Sequence, residues 1–191
     1  MPSMKPVIAC TLAAAVSFGA CTLQAQTASQ ATIPSKSQRV TTTTKISAPA
    51  FIPRAQINDQ FELEAGKIAV QRGQKTEVRQ FGQMMVADHG KASAALARAI
   101  ETSGLKPTMT GLDADHLNML EQLRAASIAA FDRTYVTMQI EAHQKALSLH
   151  QDYARAGDKT ALKAAASDRV PLIQKHLQEL RVISGALAAD S

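Results

Sequence analysis

Apolar residues recurring at helical spacing, in long runs parted by only a few glycine-bearing breaks, constrain this 191-residue chain more than any other feature. The breaks fall at Gly73, at the Gly104 to Gly111 stretch that holds Pro107, and at Gly157-Asp158. Each separates segments whose hydrophobic period is that of an α-helix. A first helix is predicted over about 55–72, with Ile57, Phe61, Ala65 and Ile68 on one face. A second covers about 75–103 and is striped by Val78, Phe81, Met85, Ala92, Leu96 and Ile100. The third starts behind Asp113, a good N-cap, and carries Leu117, Leu120 and Leu123 to an irregularity near Ser127. It resumes with Ile128, Phe131, Tyr135, Ala142, Ala146, Leu149 and Tyr153. The fourth spans about 159–187, striped by Leu162, Ala166, Ile173, Leu177, Leu180 and Ile183. Pro171 lies inside it and is expected to bend it, since proline removes a ladder hydrogen bond and crowds the preceding turn. Four long amphipathic helices on short connections predict an all-α, up-down-up-down four-helix bundle over residues 55–189.

What precedes the helices predicts export. Lys5 is followed by an uncharged apolar run from Pro6 to Ala20 and then by small and polar residues, the pattern of a secretory signal peptide over residues 1–25. Cleavage after Ala25 would release a periplasmic or secreted protein, and this is the preferred route. The alternative takes Phe18-Gly19-Ala20-Cys21 as a loose lipobox, with a lipid on Cys21 anchoring the chain to the outer membrane. Both cysteines, Cys10 and Cys21, belong to this leader region, so an exported body would have no disulfide and must be held by burial. Residues 26–54 contain Lys36, Arg39, Lys45 and Arg54, no acid, a threonine run and three prolines, which predicts a solvated basic tether. That segment holds much of the excess charge behind the net +5. The helical body lacks basic residues interleaved with aromatics, so no nucleic-acid partner is expected. Phosphate loops, nucleophile elbows and thiol chemistry are likewise absent from the body.

Polar residues on the apolar stripes carry the functional signal. His89 is four residues after Met85 and seven before Leu96, and His176 is three after Ile173 and four before Leu180, so both are expected to face inward. His143 lies beside Ala142 and Ala146 at its stripe's edge, with Asp132, Gln139 and His150 on the same flank. Taking the turns at Gly73 and Gly157 as one end, at ~1.5 Å per residue, puts the three histidines roughly 21–27 Å down. The same reckoning puts Glu64, seven residues after Ile57, inside at roughly 14 Å, with Glu62 pointing elsewhere.

The segments Phe61-Glu62-Leu63-Glu64-Ala65-Gly66-Lys67-Ile68-Ala69, Val78 to His89, Phe131-Asp132-Arg133-Thr134-Tyr135 and Val170-Pro171 to Leu177 resemble the bacterial domain-of-unknown-function 4142 family. The likeness covers about residues 51–187. It implies an exported, ferritin-like four-helix bundle, and it matches Glu62, Glu64, Asp88, His89, Asp132, His143 and His176 to the family's polar positions. The chain departs from ferritin-like di-iron proteins, which need Glu-x-x-His on two helices. Here Val86, Ile140 and Ile173 stand three residues before the histidines.

Two functions follow. In one, His89, His143 and His176, with Glu64 or a water, ligate a single transition metal such as zinc, copper or iron. In the other, the polar core only specifies packing in a non-catalytic envelope or stress-related structural module. Asp88 is expected to orient His89, or to pair with Lys91 or Arg98. Asp132 and Tyr135 are expected to cap or bridge the break in the third helix. Met84, Met85 and Met138 read as packing residues.

Overall fold

The computed structural model describes residues 46–107 and 111–190. The leader, Cys21 and the tether up to residue 45 lie outside the described residues. Within them the chain is all-helical and without strands: α1 Ala48–Arg72, α2 Thr76–Thr102, α3 Ala114–Ala125, α4 Ile128–Ala156 and α5 Thr160–Ala189. None of these helices is long and apolar enough to cross a membrane.

The expected third helix is two helices, parted where Ser127 was marked as irregular. Asp113 caps α3 by accepting from the His116 amide at 2.9 Å, and the Ser127 side chain caps α4 by accepting from the Ala130 amide at 3.3 Å. Two such caps within one apolar stretch start two helices, because each satisfies amides that a continuous helix would not leave free. Arg72 at the end of α1 ties off α3, donating to the carbonyls of Leu123 (2.7 Å) and Ala126 (2.5 Å) and to that of Arg124.

α1 begins at Ala48, inside the segment expected to be tether. Pro49 sits in its first turn, where a missing amide costs nothing, and the Ala48 amide donates to Asp158 Oδ1 at 2.8 Å. Asp158 also accepts from Tyr153 Oη at 2.9 Å, so one carboxylate pins the start of α1 to the turn between α4 and α5. At the other end, Asp132 of α4 accepts from the Gln74 and Lys75 amides at 2.9 and 2.8 Å. It therefore caps the entry to α2, not the break between α3 and α4.

These contacts correct the assumed polarity. The Gly73 turn lies beside the start of α4 and the Gly157 turn beside the start of α1, so the two turns are at opposite ends, and α2 and α4 run in the same direction in place of the expected up-down-up-down alternation. The histidines still share a level because each lies near the middle of its own helix.

α1 packs on α2, α4 on α5, and the two pairs meet through α1 with α4 and α2 with α5. The α1–α2 approach is close because glycine faces glycine. A Cβ on Gly66 would come to 2.8 Å from the Gly82 carbonyl oxygen, and one on Gly82 to 2.8 Å from that of Gly66. The apolar core is divided. One cluster, with Phe61, Phe81, Met85, Leu123, Phe131 and Leu180, fills the Gly73 end. Another, with Phe51, Ile100, Leu149, Tyr153 and Leu162, fills the Gly157 end. Each such side chain contributes ~1.5–3 kcal/mol by leaving water. Leu117 in the first turn of α3 and Ile128 at the start of α4, placed on stripes by sequence, are exposed.

Candidate metal centre

Between the apolar clusters lies a buried polar layer formed by Asp59, Glu62, His89, Gln139, His143, His150, Arg169 and His176. Its centre is three imidazoles, one each from α2, α4 and α5. The ring centroids of His89, His143 and His176 are 5.3 to 6.0 Å apart, and one nitrogen of each ring lies within 4.8 Å of the other two.

Hydrogen bonds decide which nitrogens these are. His143 Nδ1 donates to the Gln139 carbonyl at 2.9 Å, an acceptor with no proton to return, which leaves Nε2 with its lone pair. His176 Nε2 donates to Asp88 Oδ2 at 3.2 Å, which leaves Nδ1. His89 Nδ1 lies 2.9 Å from Asp59 Oδ1, and the Arg169 guanidinium donates to that same oxygen. Arg169 Nη2 also lies 2.9 Å from His89 Nδ1, and the tautomer in which Nδ1 donates to Asp59 is the one that leaves Nε2 as an acceptor. His89 Nε2 is buried with no hydrogen-bond partner. Three acceptor nitrogens therefore converge, and His143 Nε2 and His176 Nδ1 are 3.3 Å apart. Two ligand nitrogens on a tetrahedral ion with ~2.0–2.1 Å bonds stand at about that separation.

The electrostatics keep the rings neutral, the form that ligates. Burial first, then Arg169 and His176, holds His89 well below the usual histidine range. Burial and its two imidazole neighbours do the same to His143. His176 is lowered by burial against the pull of Asp88. The carboxyls move the other way: burial raises Asp59 to about 6, opposed by Arg169, and Glu62 to about 8.

Glu64 is not part of this layer. It lies toward the surface, 38% exposed, and accepts from Lys67 Nζ at 2.8 Å. Glu62 is the buried one, with Oε1 3.5 Å from His143 Nδ1. The phase was misjudged because Ile57, the residue that anchored the expected stripe, is only half-buried. The inner face of α1 runs through Phe51, Ala55, Asp59, Glu62, Gly66 and Ala69, where carboxylates and small residues interrupt the apolar signal. Asp88 orients His176 and not His89, with Lys91 Nζ 3.7 Å away. Asp59 and Arg169 were missed. The available signal was their spacing: Asp59 is three residues before Glu62, and Arg169 seven before His176 on the same face of α5.

An all-helical protein with a tri-histidine cluster at mid-core is the class that fold and site define. The chain belongs to the family described as Domain of unknown function (DUF4142), whose model matches residues 31–183. No curated protein matches the chain. Among solved structures it is similar to one titled "Crystal structure of DUF305 fragment from Deinococcus radiodurans", at 15% identity and a TM-score of 0.57. That match covers 72% of this chain and 95% of the other, and it speaks to the fold alone.

Proposed function

We propose that this is an exported, ferritin-like protein in which α1, α2, α4 and α5 form an up-down-down-up four-helix bundle, and that its core binds one transition metal ion. The ligands are His89 Nε2, His143 Nε2 and His176 Nδ1. The observation that carries the reading is the convergence of three neutral imidazole nitrogens, each left as an acceptor by a hydrogen bond on the other side of its ring. An oxygen acceptor behind a ligating histidine fixes its tautomer and orientation, which is what Asp59, the Gln139 carbonyl and Asp88 do here. An all-imidazole set suits a borderline ion, zinc, copper or ferrous iron, better than a hard cation. A di-iron centre lacks support, because no carboxylate precedes any of the three histidines by one turn.

Metal analysis of protein purified from the bacterial envelope, beside a His89→Ala, His143→Ala, His176→Ala variant, tests the reading. One bound ion in the parent and none in the variant is expected, together with a melting temperature that rises on adding the ion to the parent. Equal metal content in the two removes the claim. Mass spectrometry of the mature N-terminus tests export: a start at Gln26 means soluble release, and an acylated Cys21 means a lipid anchor.

A second reading is a structural module whose polar layer only sets helix register. The Asp59–His89–Arg169 cluster favours it, being an ion pair and hydrogen bond that hold without an ion. On this reading single histidine-to-alanine changes lower stability by ~1–3 kcal/mol, and melting does not respond to metal.

A further inference from the structure

We infer that the metal centre is incomplete within the chain, and that a small anion from solution takes the remaining coordination position. This rests on the metal reading above.

The reason is where the carboxylates stand. The group of side chains able to share an ion contains His89, His143 and His176 and no acid. Each nearby carboxyl is placed behind a ring and not beside its free nitrogen: Asp59 at Nδ1 of His89, Asp88 at Nε2 of His176, and Glu62 nearest Nδ1 of His143. Three protein ligands with a fourth position left to solvent or ligand is the arrangement of open zinc sites, in contrast to closed structural ones.

Charge then selects the occupant. Three neutral imidazoles offset none of the ion's charge. The Asp59 carboxylate is already paired with the Arg169 guanidinium, and Asp88, partly exposed with Lys91 Nζ 3.7 Å away, acts only through the far nitrogen of the His176 ring. A divalent ion in such a dry setting is stabilised by an added negative ligand, since an uncompensated buried charge is costly.

A cavity approaches the polar layer from one side. It has a volume of about 510 Å³ and opens between α2 and α5, and its lining includes Asp59, Asp88 and Arg169, so it reaches the groups behind His89 and His176, while the three histidines themselves do not line it. Its walls include Ala92, Ala95 and Ala165, whose short side chains leave the space unfilled. Asp88 is 20% exposed while the His176 it binds is buried, so the solvent-facing edge of the layer is on this side.

The test is cobalt substitution of the whole mature protein, read by visible absorption, with sodium azide as the probe anion. One Co²⁺ per chain is expected, with bands that shift saturably as azide is added. One Co²⁺ per chain with bands indifferent to azide overturns this inference and leaves the metal reading standing. No Co²⁺ uptake, alongside no zinc, copper or iron in the purified protein, removes both.

Discussion

His143 Nε2 and His176 Nδ1 face each other at 3.3 Å as two acceptors, each ring having committed its only proton to an oxygen on its far side. Two lone pairs at hydrogen-bond distance stabilise nothing by themselves. An electron-poor atom between them turns the same geometry into a binding site. The oxygens behind the rings therefore matter as much as the rings.

Removing one of those oxygens tests the point. Asp88→Ala frees His176 to move its proton to Nδ1 and donate to His143, which consumes both lone pairs in a hydrogen bond. Affinity for Zn²⁺, measured by competition with a chromophoric chelator, is expected to fall about 10–100-fold. Unchanged affinity shows that Asp88 does not position His176.

The buried titratable groups give the metal-free protein a stability maximum. His89, His143 and His176 are all lowered, and His150 falls to about 4, each chiefly through burial. For them the unfolded chain binds more protons below pH 6.5, so stability falls as pH drops, by about 1.4 kcal/mol per pH unit for each proton of difference. Asp59 at about 6 and Glu62 at about 8 have the opposite sign, stabilising at low pH and losing that contribution as pH rises through those values. Below pH 6.5 four imidazoles outnumber two carboxyls, and above it Glu62 alone sets the slope. The melting temperature in chelator is expected to peak at about pH 6–7. Glu62→Gln should flatten the alkaline decline. A steady rise to pH 8 in the parent contradicts this assignment.

Glu62 and Glu64 are two residues apart and are expected to respond differently. Glu64→Gln loses only an exposed pair with Lys67, so stability by urea denaturation should move by less than about 0.5 kcal/mol, with metal content intact. A loss of bound metal in Glu64→Gln would place that side chain at the centre after all.

Gly82→Ala is expected to cost about 1–3 kcal/mol, since the added methyl meets the Gly66 carbonyl and α1 must move off α2. Gly90→Ala is the control on the same helix, where a Cβ meets nothing within 4 Å and helix propensity improves. The two midpoints in urea should move in opposite directions.

The helices, their breaks and the inward histidines were legible in the sequence because they rest on local rules: a 3.6-residue period, capping by Asp113, and glycine at the turns. The level at which the histidines meet was legible only because each lies near a helix centre, where reversing the direction of a helix hardly changes depth. Tertiary structure decided the rest. Which glutamate of α1 turns inward depends on the rotation of that helix against α2, set by the contact of Gly66 with Gly82 and not by the strength of an apolar stripe. Asp59 and Asp132 take their partners 30 and 58 residues away, on other helices, and a hydrogen bond of that span leaves no period in the chain that forms it.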